Sequence, residues 1–181
     1  MVILFGKIRS SIGEKLLAKK VKSLVRQKHV HNFETAKTAG ILFDAGNVIE
    51  FKHIKEFGKY LASIKIECSL IGYSDADEIK DDLLFHDKVS IFSPKDLDLF
   101  FRPAQPDALK FTGRKFDMLF DLSLEDHFPL RYILSLSPSA FKIGRFTRED
   151  SDLDLMIDIH SNPGVEFLIE QIKNYVSFLN K

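Results

Sequence analysis

Asp44 closes the apolar run Ile41–Asp44, and Asp121 stands near the end of Phe116–Leu122. Two carboxylates at strand ends that share a crevice can divide general acid and general base work, or hold a divalent cation. The commoner role of such an Asp is to accept loop N–H groups or to cap the next helix, because Asp is drawn to turns. Gly46 and Asn47 follow the first Asp, and Ser123 follows the second. Asp44, Gly46, Asn47, Asp121 and Ser123 are therefore the residues expected around any ligand crevice, with Gly72–Ser74 and Ser93 as further strand exits.

Several kinds of chemistry lack their signatures. A dinucleotide site needs G-x-G-x-x-G after the first strand so that backbone can approach pyrophosphate, and only Gly46 stands there. The G-x-x-x-x-G-K-[ST] phosphate loop and the G-x-S-x-G elbow are absent. The pairs Asp75/Asp77, Asp96/Asp98 and Asp152/Asp154 each lie beside a turn, where solvated loop is the ordinary reading. Among the histidines only His29 and His31 have close spacing, and with Cys68 as the single cysteine they lack thiolate partners. Mid-strand, Cys68 reads as a buried, inert thiol. No cofactor and no metal site is expected.

The most specific feature is a block of cations. From Met1 to Lys37 the basic residues are Lys7, Arg9, Lys15, Lys19, Lys20, Lys22, Arg26, Lys28 and Lys37, against only Glu14 and Glu34. The whole chain has formal net charge +0, so the remainder is acidic. Such asymmetry points to an anionic partner for residues 1–31, or to docking of this arm on the rest. Ser11 and Glu14 have capping-box spacing. Ile12, Leu16, Leu17, Val21, Leu24 and Val25 recur at helical intervals, with Lys15, Lys19, Lys22 and Arg26 largely off that stripe. This predicts a basic amphipathic helix ending near His29–His31.

Strand and helix patterns then alternate. Strands are predicted at Ile41–Asp44, Ile66–Ile71, Val89–Phe92, Phe116–Leu122, Phe141–Phe146 and Leu153–Ile159. An acidic stretch runs from Glu78 through Asp81 and Asp82. Helical spacing links Ile54, Phe57, Leu61 and Ile64, then Leu130, Ile133 and Leu134, then Val165 to Leu179 with Ser161 or Asn162 as cap. Over Lys95–Lys115 the pattern is mixed: Asp96–Phe101 could form one helical turn, while Pro103 and Pro106 argue for loop. Strands separated by helices imply parallel pairing and right-handed crossovers. The expected fold is α/β: one Rossmann-like domain over 38–181, with a mainly parallel sheet flanked by helices, preceded by a basic helical arm over 1–37.

The chain of 181 residues is 45% hydrophobic and 29% charged, with 17 Phe, which suits a folded domain with a bulky core. The apolar start is interrupted by Lys7 and Arg9, unlike a secretory signal, and no run reaches the ~20 apolar residues of a membrane span. Cytoplasm is the expected compartment.

Gly46-Asn47-Val48-Ile49 after a strand, then Phe116-Asp117-Met118-Leu119-Phe120-Asp121-Leu122, then Phe141-Lys142-Ile143-Gly144-Arg145-Phe146, have a familiar order and spacing. Residues 40–146 resemble the N-terminal Rossmann-like half of lipopolysaccharide heptosyltransferases. That resemblance implies a glycosyltransferase-related enzyme or a nucleotide-sugar-binding half-domain. The family's turn carries an Asp implicated in catalysis, and the matching residue here is Asn47, whose amide cannot act as a base. Phe128-Pro129-Leu130-Arg131-Tyr132 followed by Phe141-Lys142-Ile143-Gly144 is similar to an uncharacterised family from Bacteroidota, which implies no activity.

The leading expectation is a non-catalytic intracellular module whose basic arm, through Lys15, Lys19, Lys22 and Arg26, binds RNA, a ribosome or a protein complex. A glycosyltransferase-related enzyme and a peripheral membrane protein are the alternatives.

Overall fold

The computed structural model describes residues 2–76, 89–147 and 152–179. Asp77, the acidic stretch from Glu78 to Asp82, and His86 lie outside the described residues. Six strands form one sheet: β1 (Thr38–Asp44), β2 (Glu67–Tyr73), β3 (Val89–Phe92), β4 (Met118–Asp121), β5 (Phe141–Arg145) and β6 (Leu155–Ile157). Their order is β3-β2-β1-β4-β5-β6, and every neighbouring pair runs parallel. The chain adopts the expected α/β, Rossmann-like architecture, with a sheet that is wholly parallel. Its helices among the described residues are α1 (Val2–Ser23), α2 (Val48–Ser63), α3 (Pro106–Gly113), α4 (Phe128–Leu136) and α5 (Val165–Phe178).

A parallel sheet must bury both faces, and alternate side chains of each strand serve two cores. Ile41 and Phe43 of β1 meet Phe51, Ile54, Phe57 and Leu61 of α2, with Leu168, Ile172 and Val176 of α5 in the same cluster. Leu42 turns the other way, into a cluster with Phe111 of α3 and Leu130, Ile133 and Leu134 of α4. Each fully buried side chain of this size stabilises by about 1.5–3 kcal/mol relative to exposure. Between the layers space is tight: a Cβ on Gly72 of β2 would lie 2.5 Å from the Phe43 ring. Asp117, just before β4, accepts from Lys37 N, Thr38 N and Thr38 Oγ1 at 2.8, 2.9 and 3.1 Å, which ties the start of β1 to its neighbour.

Several boundaries differ from expectation. Pro106 opens α3 instead of prolonging a loop, because proline at the first helical position loses only an N–H that has no helical partner anyway. α5 is capped at Gly164, and β6 keeps only three residues. α1 begins at Val2, not at Ser11, and ends at Ser23, well short of His29–His31. Glu14 does not close a capping box; it forms a two-point ion pair with Arg131 of α4 at 2.6 and 3.0 Å. Beyond Ser23 the chain has no regular structure but is tied to the domain, with His29 N donating to Ala140 O at 3.1 Å and Arg26 pairing with Asp154.

α1 lies on α4 as a third layer. Leu17 is buried there, Lys20 Nζ donates to Tyr132 Oη at 2.9 Å, and Arg9 Nε donates to Leu99 O. Gly13 makes the approach: a Cβ there would stand 2.4 Å from Phe100 O.

Among the described residues Lys142 is the charged side chain taken into the interior, 1% exposed on β5. Its Nζ donates to Leu134 O at 2.5 Å and Ser135 O at 3.3 Å, two carbonyls at the C-terminal end of α4. Burial pushes the amine down to about 8. The folded pKa is below the unfolded one, so the unfolded chain binds the proton more tightly and stability rises as pH climbs from about 8 to 10.5. Relative to Lys142→Met, the wild-type protein should gain about 3 kcal/mol over that window. Urea unfolding at pH 7.5 and 10.5 measures it, and equal changes in the two proteins would refute this account.

Candidate functional site

Reading outward from β1, the sheet continues through β2 to β3 on one side and through β4 to β5 and β6 on the other. This reversal of direction between β1 and β4 opens a crevice beyond their carboxyl ends, the usual ligand seat of an open parallel sheet. All five residues expected there are at that end of the sheet, divided between two adjoining hollows of about 360 and 370 Å³. Asp44, Gly46 and Asn47 line the hollow on the β2 side; Asp121 and Ser123 line the one on the β5 side. His127 and Glu125 line both.

Each expected residue has local work. Asp44 Oδ1 accepts Gly46 N at 2.8 Å and shapes the β1 exit. Asn47 caps α2, its Oδ1 accepting Ile49 N at 3.0 Å and Glu50 N at 3.4 Å. Those are the N–H groups a phosphate would use at this helix start, so the side chain fills the ordinary anion position. Asp121 accepts from Ser123 N and Oγ, and Arg145 Nε donates to Ser123 O at 2.9 Å. Burial raises the Asp121 carboxyl above its usual range.

The centre of the crevice is a residue that sequence reasoning passed over. His127 occupies the N-cap position of α4, just ahead of Phe128-Pro129, and its side chain is 10% exposed. Nε2 stands 3.2 Å from Asp44 Oδ2 and 3.7 Å from Glu125 Oε2, while Nδ1 stands 3.5 Å from Asp75 Oδ2. The hydrogen bond with Asp44 raises the imidazole pKa and lowers that of the carboxyl. Asp44 does not pair with Asp121 across the crevice; its partner is this histidine. The only sequence signal was position, since a turn leading from β4 into a proline-started helix must return past the same strand ends.

Other expected features resolve as structure. Asp96 completes a capping box with Ser93, and Asp98 Oδ2 binds Arg102 Nε at 2.7 Å. Asp154 joins Arg26 and accepts Lys142 N at 2.9 Å. His29 and His31 stack edge to face at 4.7 Å. Cys68 is buried in β2.

On the arm, Lys15, Lys19 and Lys22 are exposed, whereas Arg26 is drawn inward to Asp154. Spacings of four and three put the three lysines on one face of α1. Ile8 and Ile12, 49% and 36% exposed, extend the same line toward the N-terminus. Gly13 and Leu17, the docked residues, are on the opposite side.

A protein-family comparison matches residues 9–179, described as "Family of unknown function (DUF6913)". The chain belongs to the DUF6913 family. The match spans both the crevice and the docked part of α1. No curated protein matches this DUF6913 chain. No helix among its described residues is long and apolar enough to cross a membrane.

The His127–Asp44 pair sets a pH signature. The raised histidine pKa gives stability that is complete below about 6.5 and lost as pH rises through the folded value. The lowered Asp44 pKa gives stability present above about 3.9 and lost on further acidification. Wild type should therefore exceed His127→Gln by on the order of 1 kcal/mol between those limits, allowing for solvent screening. The gap should narrow by pH 9. Urea midpoints for both proteins at pH 5.5 and 9 decide it; a gap that widens on the alkaline side would contradict the pairing.

Proposed function

We propose that the protein is an interaction module that presents α1 to an anionic macromolecule, with an RNA-bearing partner as the first reading. The observation that carries it is the outward face of a docked helix. Arg9, Lys20 and Arg26 are engaged in holding the arm, and Lys15, Lys19 and Lys22 point away from the domain. Docking fixes their relative positions before any partner arrives, which lowers the ordering cost of binding.

Ile8 and Ile12 favour a second reading, in which the same face lies on an anionic membrane surface with its apolar end inserted. A nucleotide-sugar site of the kind implied by the heptosyltransferase resemblance draws less support. Asn47 occupies the first N–H groups of α2, and Asp44, Glu50, Asp75 and Glu125 give that hollow an acidic wall.

Three phosphate contacts would make affinity fall roughly 40-fold between 50 and 200 mM salt. Co-sedimentation with ribosomes and filter binding to RNA should show that slope, and the triple change Lys15→Glu, Lys19→Glu and Lys22→Glu should abolish binding. All three side chains are exposed, so the variant should fold. Flotation with anionic liposomes in place of RNA binding would select the membrane reading. Failure to bind either at 50 mM salt would end the proposal.

A further inference from the structure

We infer that Asp44, Glu125 and His127 form a binding site for one divalent transition-metal ion at the sheet's order reversal, independent of the α1 surface. The three side chains come from two places far apart in sequence: Asp44 from the end of β1, and Glu125 with His127, the N-cap of α4, from the β4–α4 connection. One ligand atom from each lies within 4.8 Å of the other two. The separations from His127 Nε2, 3.2 Å to Asp44 Oδ2 and 3.7 Å to Glu125 Oε2, suit atoms that share an ion. Ligands at ~2.0–2.2 Å in a tetrahedral site stand about 3.3–3.6 Å apart.

A second geometric feature is the far side of the ring. A metal-bound histidine almost always donates its other N–H to a carboxylate, carbonyl or water, which fixes the tautomer and aims the free nitrogen. Here Asp75 Oδ2 stands 3.5 Å from Nδ1, across the ring from the converging carboxylates. Asp75 would thus be a positioning residue, bringing the Nε2 lone pair to bear between Asp44 and Glu125. Tyr73 packs on the same imidazole with ring centroids 5.3 Å apart, restraining its tilt.

Ligand type narrows the ion. An imidazole with two carboxylates suits zinc or manganese better than calcium, which takes six to eight oxygens. Three protein ligands leave a position open, and the open side adjoins both hollows. An ion there would offset the acidic wall and could accept an oxygen of a small ligand.

The test uses the full chain, freed of metal with a chelator and titrated with zinc chloride and then manganese chloride against a chromophoric chelator. One ion per chain is expected. Glu125→Gln and His127→Gln should each weaken binding by tenfold or more, and Asp75→Asn by about tenfold. Asp152→Asn, beside the crevice but outside the cluster, should leave affinity unchanged. Glu125 is 74% exposed, so its variant tests the site without endangering the fold. Absence of a stoichiometric site for both metals would overturn the inference, as would equal affinity in Glu125→Gln, His127→Gln and the wild type.

Discussion

β1 has a strand on each edge and a helical layer on each face, so nothing about it is left to solvent except its two ends. It pairs with β2 over seven residues and with β4 over four, and Ala39, Ile41, Leu42 and Phe43 are all fully buried. A parallel ladder leaves no freedom to slip here, because a one-residue shift would exchange the side chains of the two cores. The tightness at Gly72, under the Phe43 ring, adds a steric stop in the same register. With β1 fixed, β4 must lie on its far side, and the crevice follows from topology alone.

That constraint explains which parts of the molecule were legible in its sequence. Short apolar runs bounded by turn residues marked all six strands, and the helical stripes of α2 and α5 identified what covers one face. Ladder extent was less legible. Phe116 and Leu122 are as apolar as β4 itself and flank it: Leu122 N still donates to Leu42 O of β1 at 2.9 Å and Phe116 O accepts from Ala140 N at 2.9 Å, while the Phe116 ring packs beside Phe111 of α3. α3 was hidden by Pro106, which signals a break to a reader moving along the chain and a helix start to the folded backbone.

The crevice was half legible. Position at strand ends was enough to single out Asp44, Gly46, Asn47, Asp121 and Ser123, but it carried no information on what each side chain would meet. Asp44 and Asp121 look equivalent in sequence and are not so in space. Asp44 reaches the histidine at the start of α4, while Asp121 is consumed by its own turn through Ser123. His127 contributes to no periodic pattern, since an N-cap residue is outside the helix it begins. Its importance arises from three loops meeting at one end of the sheet, a relation of tertiary structure that no local window contains.

The same distinction between local and tertiary roles governs the basic arm. As a string of cations, residues 1–37 look uniform. Folding divides them. Arg9 reaches Leu99 O, Lys20 faces Tyr132 and Arg26 faces Asp154, while Glu14 takes Arg131 of α4, so part of the charge fixes the arm to α4 and to the segment just before β6. The partly exposed Glu14–Arg131 pair is individually weak, typically 0–1 kcal/mol for surface pairs, whereas the Arg26 and Asp154 side chains are largely buried, 9% and 13% exposed. Together with Leu17 and the close approach at Gly13 these contacts set the rotation of α1 about its axis. Rotation is what separates the two populations of lysine: a turn of 180° would bring Lys15 and Lys19 onto the aromatic face of α4 and send Lys20 to water. The arrangement observed is the one in which each cation either meets an acceptor or reaches solvent, and the desolvation cost of a buried lone ammonium, several kcal/mol, is enough to select it.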